Sequence, residues 1–124
     1  AWGLLNLAEA TGNTRYLRTA SDLTRKMLLH FRDEEQGGLF LSADYAETVL
    51  VRTREFYDGA IPSGNSAALM NIVRLIRAGE NTGLQQEMQE LVQAFSGTIQ
   101  SQPTGFTYFL CGLDRAFNTN LQPK

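Results

Sequence analysis

The chain of 124 residues has one cysteine, one histidine and three prolines, and its only lysines are Lys26 and Lys124. A single cysteine, Cys111, makes neither an intrachain disulfide nor a cysteine-based zinc site, and suits a reducing, cytoplasmic setting. With Lys26 on a wet helix face and Lys124 in the tail, a Schiff-base mechanism has no well-placed nucleophile. No apolar run reaches the ~18 residues of a membrane span and no signal-peptide layout is present, so no membrane partner is expected. There is no basic block either: 11 Lys+Arg against 13 Asp+Glu give a formal charge of −2, which argues against a nucleic-acid surface. Phosphate loops, dinucleotide glycine patterns and metal-ligand spacings are all missing, so no cofactor and no metal are expected. The acidic run Asp33-Glu34-Glu35 lacks the alternating spacing of a calcium loop and reads as a solvated turn.

What is present is a core-forming helical pattern. Hydrophobic residues make up 43% of the chain, enough for one domain spanning 1–124 and too many for a disordered chain. Helices are predicted at about 1–10, 14–32, 65–78, 83–101 and 105–117. The first stops at Thr11-Gly12-Asn13 and Thr14 caps the second, whose apolar face is Leu17, Ala20, Leu23, Met27, Leu28 and Phe31. Its other face carries Arg15, Arg18, Asp22, Arg25 and Lys26. The third, opening at Asn65-Ser66, is apolar around most of its circumference and should be largely buried. The fourth places Leu84, Met88, Leu91, Val92, Phe95 and Ile99 on one face. Cys111, in the apolar run Phe109–Leu113 of the fifth, reads as an inert core residue. Between the second and third helices lies a long irregular stretch, 33–64, with two strand-like runs, 38–42 and 48–52, that could pair as a small β-hairpin. A connection that long is usually specialised. The tail 118–124 has no period and should fray.

An apolar helix, a glycine stop and an amphipathic helix occur twice, at a spacing of 67 residues from Gly12 to Gly79. Inner and outer helices in alternation describe an all-α, two-layer α/α toroid better than a superhelical solenoid, whose repeats are near ~34 residues. The chain opens in helical sequence at Ala1 without a capping residue in front, which reads as the C-terminal piece of a longer protein.

The run Tyr57-Asp58-Gly59-Ala60-Ile61-Pro62-Ser63-Gly64-Asn65-Ser66, with Glu34-Glu35-Gln36-Gly37-Gly38-Leu39-Phe40 upstream, resembles the spermatogenesis-associated, thioredoxin-domain-containing protein family. The resemblance extends from Trp2-Gly3-Leu4-Leu5 through Phe117. It implies the C-terminal end of a six-hairpin α/α toroid, related in fold to N-acylglucosamine 2-epimerases and many glycosidases, that follows a thioredoxin-like domain lying outside this chain. The 2-epimerases use histidines for proton transfer, and the long loop here contains none.

In a toroid the long loops line the mouth of the central cavity. Asp58 and Glu55 are then the candidate catalytic pair, since two carboxylates can divide acid and base roles. The structural alternative is that Asp58 accepts hydrogen bonds from backbone N–H groups of residues 59–63. Ser63, Asn65 and Ser66 could bind a sugar hydroxyl or an anion at the helix N-terminus, or simply cap it. Tyr57, with Phe40, Tyr45 and Phe56, could form an aromatic floor for a sugar ring, or a plug over the helix ends. His30 reads as a residue suited to a helix C-terminus. Two functions follow: a portion of a carbohydrate-active toroid, with a carbohydrate-like small molecule as ligand, or a non-catalytic binding or scaffold module acting through a protein partner. The remaining partners expected are the rest of the parent chain and, through uncovered apolar faces, other copies of the same chain.

Overall fold

The computed structural model describes residues 1–46 and 51–118. Five α-helices follow one another: α1 (Trp2–Thr11), α2 (Thr14–Phe31), α3 (Gly64–Arg77), α4 (Leu84–Ser101) and α5 (Thr107–Phe117), with a 3-10 turn at Pro103–Phe106. The architecture is all-α. The apolar third segment becomes the central helix: ten of the fourteen residues of α3 are buried, and it packs against α1, α2, α4 and α5. Its end is set by Gly79 at φ 94°, where the N–H groups of Gly79 and Glu80 bond back to Ile76 and Leu75. That paired reversal requires a left-handed residue, which glycine adopts without a Cβ clash.

The amphipathic helices lie as their periods demand. On α4, Leu84, Leu91, Phe95 and Ile99 are buried, with Met88 and Val92 partly so. On α2 the buried positions are Ala20, Ser21, Thr24 and Leu28, and Leu23 from the predicted face remains 45% exposed. α1, expected to be covered on both sides, buries only Leu5, because its main neighbours are α2 and α3 alone. It is tied to α3 by Arg74, a buried cation whose Nε donates to Glu9 Oε1 at 3.1 Å and whose Nη2 donates to Asn6 Oδ1 at 2.8 Å.

Several local expectations are corrected. Asn13, not Thr14, caps α2, accepting from the Arg15 N–H, since an Asn in extended backbone presents its oxygen to the first turn. Of Ser63, Asn65 and Ser66, it is Ser63 that caps α3, accepting from the Ser66 N–H at 3.2 Å. Cys111 is exposed, because α5 turns Phe109 and Gly112 inward instead. No β-hairpin forms among the described residues: Leu39 makes an isolated bridge with Arg32, and Phe40 one with Arg54. Residues 48–50 of the second strand-like run, and 119–124 of the tail, lie outside the described residues.

Four phenylalanines close the end of the core beneath the long loop. Phe56, Phe95, Phe106 and Phe109 lie with ring centroids 5.6 to 6.5 Å apart, in the offset and edge-to-face range that aromatic pairs favour. They come from the loop, α4, the 3-10 turn and α5, so one cluster joins four segments. Phe106→Ala should therefore lower the unfolding free energy by about 3–5 kcal/mol, measured by urea denaturation. A loss under about 1 kcal/mol would mean that the cluster repacks around the gap.

Candidate functional site

The long loop between α2 and α3 is held by its own polar side chains. Asp58 is buried, 6% exposed, and its carboxylate is surrounded by backbone donors. Oδ1 accepts the Ser63 N–H at 2.8 Å. Oδ2 accepts the N–H groups of Tyr108 at 2.9 Å and Phe109 at 3.0 Å. The Asp58 N–H donates to the Gly105 carbonyl at 2.8 Å. One carboxylate thus serves the capping residue of α3 and the first turn of α5, whose own N-cap, Phe106, contributes no side-chain bond. The first N–H groups of a helix have no partner within it, and a negative charge there is favoured by the helix dipole. Asp58 is a cap that acts from about fifty residues away in sequence.

Asn65 does for the loop's first half what Asp58 does for its end. Its Oδ1 accepts the Leu39 N–H at 2.8 Å, and its Nδ2 donates to the carbonyls of Leu39 at 3.0 Å and Glu55 at 2.6 Å. Ser63 and Ser66 are buried and bonded to each other through their hydroxyls at 2.9 Å. The carboxylate, amide and hydroxyl groups of these four candidates are therefore spent inside the fold.

Glu55 and Tyr57 are placed differently. Both side chains are exposed, on the outer surface of a backbone pinned from behind by Asn65 and Asp58. The Tyr57 ring, 60% exposed, lies flat enough on the chain that a Cβ on Gly105 would meet it at 2.7 Å. The structure brings Asp58 and Ser63 together, and Ser63 with Ser66, but it does not set Glu55 and Asp58 facing one cavity: one faces solvent and the other backbone amides.

The aromatics do not form one floor. Phe56 belongs to the phenylalanine cluster, Phe40 lies under the Arg52 guanidinium at 4.1 Å, and Tyr45 meets His30 edge-on at 5.0 Å. His30, in the last turn of α2, has its Nδ1 3.0 Å from Asp44 Oδ1. Asp33 is not solvated as its acidic run implied. It is buried, accepts from the N–H groups of Glu35 and Gln36 at 3.0 Å each, and meets Arg54 Nε at 3.3 Å. Nothing local in sequence joins positions 33 and 54, so this pairing exists only in the folded chain. Tyr108, stacked on Trp2 at 5.3 Å, has its phenol pushed up by burial.

Among the described residues no three His, Cys, Asp or Glu side chains converge as a metal centre would require. No described helix is long and apolar enough to cross a membrane. No family model matches the chain, and comparison with curated proteins finds no match.

Asp58→Ala leaves three backbone donors without an acceptor, two of them in buried bonds. It should lower stability by about 2–4 kcal/mol, read as a clear fall in melting temperature. Asp58→Asn, keeping one oxygen acceptor, should fall between wild type and Ala. An unchanged melting temperature in Asp58→Ala would return the residue to a functional role. Asn65→Leu should cost about 2–3 kcal/mol and speed amide hydrogen exchange at Leu39. Unaltered exchange there would mean that the loop is held by other contacts.

Proposed function

We propose that this chain is a non-catalytic binding or scaffold module built on part of an α/α toroid, in which the 55–66 loop is a rigid wall. The observation that carries the reading is the engagement of Asp58. A general acid or base must reach a proton on substrate, and this carboxylate accepts three backbone N–H groups in a buried position. Its docking face is the surface that Glu55 and Tyr57 present outward. A partner protein, including the rest of a longer parent chain, is what such a stiff, preorganised edge suits, because little ordering entropy is lost on binding. A cytoplasmic setting is consistent with the exposed thiol of Cys111.

A second reading is the C-terminal portion of a carbohydrate-active toroid of a thioredoxin-domain-containing protein. The exposure of Glu55 beside Tyr57 favours it, because a carboxylate and an aromatic ring on adjacent loop positions can bond and stack against a sugar. The toroid itself rests on the repeated pairing of an apolar with an amphipathic helix, α1 with α2 and α3 with α4.

A thermal-shift screen against mono- and disaccharides, sugar phosphates and N-acetylated sugars separates the two. A ligand that binds only the native state raises the melting temperature by mass action. The module reading expects no shift and no turnover across the panel. A saturable shift lost in Tyr57→Ala, together with sugar turnover lost in Glu55→Gln, would replace it with the carbohydrate reading.

A further inference from the structure

A second concave feature lies away from Glu55 and Tyr57. A groove of about 660 Å³ runs between the C-terminal half of α2 and the chain that follows it, and ends at the start of α3. Leu23 and Met27 form one wall, and Leu41 and Tyr45 the other. Leu23, Leu41 and Tyr45 are 45%, 55% and 75% exposed. They are large apolar groups left open to water within one concavity, the kind of surface that marks a ligand site.

The basic side chains lining this groove are Lys26 and His30, and among the described residues no carboxylate lines it. Asp44 meets His30 at Nδ1, so Lys26 supplies the net charge; among the described residues Lys26 makes no ion pair. Gly64, the first residue of α3, closes one end, where the positive end of the helix dipole lies. In a chain whose net charge is −2, an apolar trough edged by Lys26, which makes no ion pair among the described residues, is complementary to an anion with an apolar tail.

We propose that this groove binds a small monocarboxylate with an aryl or alkyl tail. The tail lies along Leu23, Met27 and Leu41, and the carboxylate meets Lys26. This site goes beyond the proposed function: it uses neither Glu55 nor Tyr57, and it stands whichever reading of that loop holds.

The test is an NMR titration of the isotopically labelled chain with 4-phenylbutyrate and, separately, with 4-phenylbutan-1-ol, which keeps the tail and removes the charge. Saturable shifts clustered at Leu23, Leu41 and Gly64 are expected, with the acid bound about tenfold more tightly, the ratio an ion pair and a helix terminus together supply. In Lys26→Met, whose fold is checked by circular dichroism, the preference for the acid should fall to about threefold or less. Leu41→Ser should weaken both ligands alike. Equal affinity for acid and alcohol overturns the proposal. So do shifts that never saturate or that scatter over the surface, and so does a preference that survives Lys26→Met.

Discussion

The Asp58 carboxylate joins the end of the long loop to the starts of α3 and α5. It sits at the end of a long loop, yet its two oxygens receive hydrogen from the capping residue of α3 and from the first turn of α5. Helix N-termini need acceptors, and a buried carboxylate needs donors. Each requirement satisfies the other, so the carboxylate is accommodated in the core with no cationic partner among the described residues. Charge-assisted bonds of this kind are about twice as strong as neutral ones. They orient α5 relative to α3, which in turn sets where Phe106 and Phe109 enter the aromatic cluster.

From that anchor the rest of the loop follows. Asn65 imitates a neighbouring strand for Leu39, offering an acceptor and a donor to one residue's backbone. It thereby satisfies groups that an irregular segment would otherwise leave buried and unpaired. Asp33 and Arg54 tie the loop's beginning to its end at 3.3 Å. Phe56 then drops among Phe95, Phe106 and Phe109. The described parts of the loop are consequently fastened to the core at Asp33, Leu39, Phe56 and Asp58, although they contain almost no regular secondary structure.

This organisation also separates two kinds of polar residue that look alike in sequence. Asp58, Ser63, Asn65 and Ser66 face inward and are used by the fold, whereas Glu55 and Tyr57 face outward on the same few residues of chain. Lys26 and His30, on a different element, belong to the groove beside α2. Polar groups able to meet a ligand are therefore those the fold does not consume. The proposed functions rest on them.

Apolar periodicity specified where the helices lie and which face α3 and α4 turn inward. Apolar spacing of three and four placed Leu84, Leu91, Phe95 and Ile99 on the buried side of α4, and the apolar third segment became the central α3. Glycines at 12 and 79 marked the two helix ends. These signals are local, since helix geometry repeats within a few residues. Tertiary structure alone decided the rest. Asp58 finds its amide partners at positions 108 and 109, and Asn65 finds Leu39 and Glu55, across separations that no local period encodes. Cys111 lies in an apolar run yet faces solvent, because the rotation of α5 is set by Phe109 against Phe95 of α4 and Gly112 against Leu69 of α3. Whether a polar side chain is a tool or a fastener depends on which backbone groups remain unpaired around it, and that is known only once the helices have docked.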